Sequence, residues 1–135
     1  MAFVVLGVWL VQTAAGAALV LRARRASPGA SAPLTHVACA VVGLALWTGF
    51  LATGAVLWAW AALVALTVGN VLGDRMLIQR HRRMSGTAGL WRDYGGAIGD
   101  TVHGRVPPIV AFHAWFAGVV YFLCLGVALA ATLSG

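Results

Sequence analysis

The stretch Pro33–Gly73, PLTHVACAVVGLALWTGFLATGAVLWAWAALVALTVGNVLG, decides the fold. It contains no Asp, Glu, Lys or Arg. As one helix it would be about 60 Å long, twice the roughly 30 Å hydrocarbon core of a bilayer. It must therefore fold back. Ala52-Thr53-Gly54 is the natural break, which predicts one span near 33–53 and another near 55–75. Trp58 and Trp60 beside the break suit an interfacial aromatic belt. Pro33 suits the first position of a helix.

Two more apolar runs flank this hairpin. Met1–Leu21 is long enough to span. Its basic cluster Arg22, Arg24, Arg25 follows the run instead of preceding it, so it reads as an uncleaved span and not as a signal peptide. Residues 26–33 form a turn-rich linker. Asp74 to Arg83 is a polar helix end, and 84–106 reads as a Gly-rich loop. Pro107-Pro108 opens a fourth span at about 109–133. The expected fold is thus all-α, one transmembrane domain over 1–135, a four-helix up-down bundle.

Composition agrees. The 135 residues are 61% hydrophobic and 9% charged, with a mean hydropathy of +0.92. Soluble domains carry about 25% charged residues, so a soluble globular enzyme is excluded. Disorder and collagen are excluded as well. The net charge is +6, from nine Arg, three Asp, no Lys and no Glu. The arginines lie in short loops between apolar runs, which points to an anionic lipid surface and not to nucleic acid. They all fall in segments 22–32 and 75–107, on one side of a four-span chain. The positive side is cytoplasmic, so both termini face outward and the expected location is a bacterial plasma membrane. Two Cys give no disulfide framework.

Polar groups inside spans are few and informative. His36 lies about 4–5 Å into span two and His113 about 7–8 Å into span four, both from the cytoplasmic side. Spans two and four of an up-down bundle are diagonal neighbours. Two imidazoles at matched depth suit the axial positions of one haem. Gly43, seven residues beyond His36 on the same face, and Gly118, about 140° from His113, would let a flat ring approach. Arg22, Arg24, Arg92 and Arg105 lie on the propionate side. Asn70, at similar depth, could orient an imidazole. Other readings of the pair stay open. His36 and His113 with Cys39 could hold zinc or copper, or either histidine could bond a neighbouring helix or reach the headgroups.

Other features carry less. Gln12 and Thr13 read as interhelical glue. Gly69-x-x-x-Gly73 permits close helix contact within or between chains. Asp100 and His103 could orient one another for acid–base work, or simply make a turn. His81, within Gln79-Arg80-His81-Arg82-Arg83, reads as a solvated, lipid-facing basic end. Cys39 and Cys124 differ too much in depth for a disulfide. No span holds a carboxylate, which argues against acid-coupled transport. There is no phosphate loop, nucleophile elbow or His-Glu-x-x-His, so the reading leans away from an enzyme.

Leu34-Thr35-His36, Leu72-Gly73-Asp74, and Pro107-Pro108 followed by Phe112-His113-Ala114 resemble a group of four-span membrane proteins of high-GC bacteria. The resemblance covers spans two to four, implies the four-span fold and carries no mechanism. The two membrane histidines with their glycines also resemble small four-helix membrane cytochromes of the b type. The functional expectation is a di-histidine haem b electron-transfer or redox-complex subunit. The alternative is a non-catalytic accessory subunit without a cofactor, packed on a larger complex or on itself through Gly69 and Gly73.

Overall fold

The computed structural model describes residues 1–26, 33–86 and 88–134. It is all-helical: α1 (Ala2–Ala26), α2 (Leu34–Thr53), α3 (Val56–Ser85), α4 (Leu90–Val102) and α5 (Pro108–Ser134). Four of these, α1, α2, α3 and α5, are long and apolar enough to cross a membrane. The linker residues 27–32 lie outside the described residues.

Glycine ends two helices where the chain turns. Gly54 takes the left-handed conformation (φ 71°) and its N–H bonds the Phe50 carbonyl at 2.8 Å. Gly86 does the same after α3 (φ 66°), bonding Arg82. A side chain is disfavoured at such a φ. The polar run after Gly73 does not leave the helix. Asp74–Ser85 continues α3, which at 30 residues is about 45 Å long.

The Gly-rich loop expected over 84–106 holds a helix. Leu90–Val102 is a helix, α4, packed against the extended end of α3. Its formation depends on tertiary partners, as the site below shows.

Helix α2 packs along α3, α5 packs against both α1 and α3, and α1 touches α2. The contacts order the layers. Trp47 Nε1 donates to the Ala2 carbonyl (3.1 Å), Trp60 Nε1 to Thr132 Oγ1 (3.0 Å), and Gln12 Nε2 to the His113 carbonyl (2.8 Å). At one end the interior is dry: Val5, Trp9, Trp47, Phe50, Leu63, Leu66, Val120 and Cys124 form one buried cluster. Threonine hydroxyls elsewhere are spent locally. Thr13, Thr48, Thr53, Thr67 and Thr132 each donate to the carbonyl four residues back, and Thr132 also accepts from Trp60 across the bundle. At the other end the interior turns polar, with Gln12, His36 and His113.

Candidate functional site

His36 in the first turn of α2 and His113 in the second turn of α5 come together. Their ring centroids are 6.0 Å apart and the planes meet at 73°. The two helices make no close backbone approach to one another, so the side chains alone bridge the bundle. His36 Nδ1 lies 2.9 Å from the Gly69 carbonyl. As the donor in that bond, Nδ1 keeps the proton, and Nε2 is left with its lone pair.

Glycine makes room for both rings, on the two helices that flank the pair. A methyl group on Gly16 of α1 would sit 3.0 Å from His113 Cε1, and one on Gly73 of α3 would sit 3.3 Å from His36 Cε1. The glycines singled out from the sequence sit elsewhere. Gly43 lies under Trp9, where an added Cβ would come within 2.6 Å of the indole, and Gly118 has nothing within 4 Å. Gly43 is thus a packing position in the apolar half. Gly16 was legible only as the residue four after Gln12, on the same helix face.

Gln12 is 7% exposed. Its amide N–H holds the backbone of His113, but its Oε1 is buried with no partner among the described residues, and so is His113 Nδ1. An interhelical bond inside a membrane contributes on average about 0.6 kcal/mol. A buried acceptor left unpaired costs about 1–3 kcal/mol. As glue alone, Gln12 would be a net cost. The two orphaned atoms mark a polar site at the foot of the bundle.

The remaining candidates divide. Asn70 makes no hydrogen bond to either imidazole among the described residues; the Gly69 carbonyl orients His36 instead. Arg105 reaches Asp100 (3.4 Å) and not the histidine pair. Arg75 is the cation that lines a cleft of about 360 Å³ with Thr35, His36, Leu72 and Met76. Cys39 is in van der Waals range of Gly69, with 3.4 Å to a Cβ built there. Among the described residues no three His, Cys, Asp or Glu are grouped to hold a metal ion. Gly69 and Gly73 both face α2, so their motif serves packing inside the chain.

A second cluster joins α3 to α4. His81 is not a solvated basic end. Its Nδ1 lies 2.7 Å from Asp100 Oδ2, and Asp100 also accepts from Arg105. The hydrogen bond from His81 pulls the Asp100 carboxyl below its ordinary 3.8. Burial opposes this, and the charges of His81 and Arg105 add to the pull. His103 turns away from Asp100 to the Gly99 carbonyl, 2.7 Å off, so of the two readings of Asp100 and His103 the acid–base couple does not form. Asp93, fully buried, pairs with Arg82 and accepts the Gly89 N–H at 2.9 Å. Gly96 lies against the His81 ring so closely that a methyl group there would overlap it.

No protein-family model, no curated protein and no solved structure matches the chain.

Proposed function

We propose that the chain is a four-span protein of a bacterial plasma membrane that holds haem b between His36 and His113 and passes electrons within the bilayer. The helices would alternate in direction, with the arginine-rich segments cytoplasmic and both termini outward. The end-to-end contacts Trp47–Ala2 and Trp60–Thr132 support the alternation.

The observation that carries the reading is the pair itself. Two imidazoles, one from each of two helices that make no close backbone approach, would be the residues to hold one metal-centred group between them. The rings stand at 6.0 Å. Two protein donors are too few for a bare zinc or copper ion, which needs about four. A haem would need only two side chains from the protein, and His36 and His113 would supply them. The bound group would supply a one-electron couple near one face of the membrane.

The chain's residues do the rest. The Gly69 carbonyl holds His36 in the tautomer that presents Nε2. Gln12 ties the start of α5 to α1. Gly16 and Gly73 keep side chains off both imidazoles. Arg75, in the cleft beside His36, is the cation placed to meet a propionate; Arg105 is engaged with Asp100.

Protein purified in mild detergent from haem-supplied cells should show a Soret band and sharp α and β bands on dithionite reduction. His36→Ala and His113→Ala should each abolish them. A flat visible spectrum from the intact protein overturns the haem reading. It would move the chain to the accessory-subunit class, whose mark is co-purification with a larger partner at fixed stoichiometry.

A further inference from the structure

Helix α4 is amphipathic the wrong way round for a soluble helix. Its buried positions are Asp93, Ala97, Asp100 and Thr101. Its apolar side points out: Leu90 is 62% exposed, Trp91 82% and Val102 62%, with Tyr94 exposed and Ile98 half-buried beside them. By the helical step these five residues fall within an arc of about 120°. A helix that turns its carboxylates inward and its tryptophan outward has its apolar face unaccounted for within the chain.

Three observations identify what covers that face. First, α4 lies against the end of a span: Trp115 Nε1, in the second turn of α5, donates to Thr101 Oγ1 in the last turn of α4 (3.1 Å). Second, both α4 carboxylates are neutralised internally, Asp93 by Arg82 and Asp100 by His81 and Arg105. Among the described residues from 74 to 106 the exposed charged side chains are therefore one carboxylate, Asp74, and six arginines: Arg75, Arg80, Arg82, Arg83, Arg92 and Arg105. Third, the outward face pairs Trp and Tyr with aliphatics, the composition that settles at the headgroup boundary.

We infer that α4 is an interfacial anchor. Leu90, Trp91, Tyr94, Ile98 and Val102 sit in the headgroup–acyl boundary of the leaflet that the long helices cross, and the surrounding arginines bind its anionic headgroups. An apolar face buried in the boundary and arginines at the surface act together. The inference rests on the membrane reading and not on haem.

The test uses the full chain with Cys39→Ala and Cys124→Ala, reconstituted in discs of phosphatidylethanolamine and phosphatidylglycerol. Single cysteines are introduced by Trp91→Cys, Tyr94→Cys, Val102→Cys and Arg92→Cys. Two more, Val64→Cys and Phe122→Cys, lie on the exposed faces of α3 and α5 and serve as membrane controls. Each carries a nitroxide whose collisions with oxygen and with a water-soluble nickel chelate are measured. Positions 91, 94 and 102 should fall between the mid-span controls and position 92, with an oxygen-to-nickel ratio several-fold above position 92. Replacing phosphatidylglycerol by phosphatidylcholine should lower that ratio at 91 and 94 and leave the controls unchanged.

Water-like values at 91 and 94 with lipid-like controls overturn the inference alone. Water-like controls overturn the membrane reading with it. An unchanged ratio in phosphatidylcholine removes the anionic preference. The unmodified chain gives a check that needs no cysteine exchange. Brominated lipid should quench a part of the tryptophan emission that Trp91→Phe removes; equal fractional quenching in parent and variant would count against α4 insertion.

Discussion

At the scale of single residues, Gln12 separates a structural account from a functional one. Its bond to the His113 carbonyl is worth a fraction of a kcal/mol, and its unpaired Oε1 costs more. Gln12→Leu should therefore leave unfolding in mixed detergent micelles within about 1 kcal/mol of the parent, or raise it. The same change should alter the reduced spectrum or midpoint potential of the haem-loaded protein. A loss above about 2 kcal/mol would make Gln12 chiefly structural. The two histidines and their matched depth were legible in the sequence because ionisable groups inside spans are rare. Their glycine neighbours were not. Gly43 and Gly118 share helices with the histidines, but clearance at a ring is set by the helix facing it, which is α1 for His113 and α3 for His36.

At the scale of elements, α4 is held by ion pairs that respond to acid. Asp100 is depressed in the folded chain, so its contribution is fully present above the ordinary carboxylate value of 3.8 and is lost as pH falls through the lower folded value. The docking of α4 should be unchanged from neutral pH to about pH 4 and weaken below it. The indole N–H resonance of Trp115, which donates to Thr101, is the probe. It should hold its shift down to about pH 4 and then move, whereas Asp100→Asn should show the moved position already at pH 7. A shift that moves well above pH 4 would assign the response to a group other than the Asp100 carboxyl. The glycines at 86, 89, 95, 96 and 99 made this segment read as a loop. A signal for the helix was nonetheless present in the four-residue spacing Leu90, Tyr94, Ile98, Val102. Glycine at 96 has a tertiary reason, since only a residue without Cβ admits the His81 ring.

At the scale of the whole molecule, the asymmetry of charge gives a topology test. All nine arginines fall in two segments, the C-terminal end of α1 and the stretch between the apolar part of α3 and the start of α5. A green fluorescent protein fused after Gly86 should fluoresce. Alkaline phosphatase fused after Ser134 should be active outside the cell membrane. Fluorescence from fusions at both points would reverse the proposed placement of the C-terminus. The polar half of the bundle would then lie toward the arginine-rich face, and the apolar cluster around Trp9 and Trp47 toward the other.

The sequence by itself determined the four long helices and the break at Gly54. A bilayer leaves no solvent for backbone polar groups, so about twenty uncharged residues fold one way. It also determined which face of the chain is basic, because charge resists burial in hydrocarbon. Only the tertiary structure decided which small residues touch the imidazoles, which carbonyl orients His36, and that Asp100 bonds His81 instead of His103. Those choices depend on which helix faces which, and at what height. Helix α4 belongs with them: its glycines give it little reason to be helical alone, and its carboxylates find cationic partners on α3 and in the segment before α5.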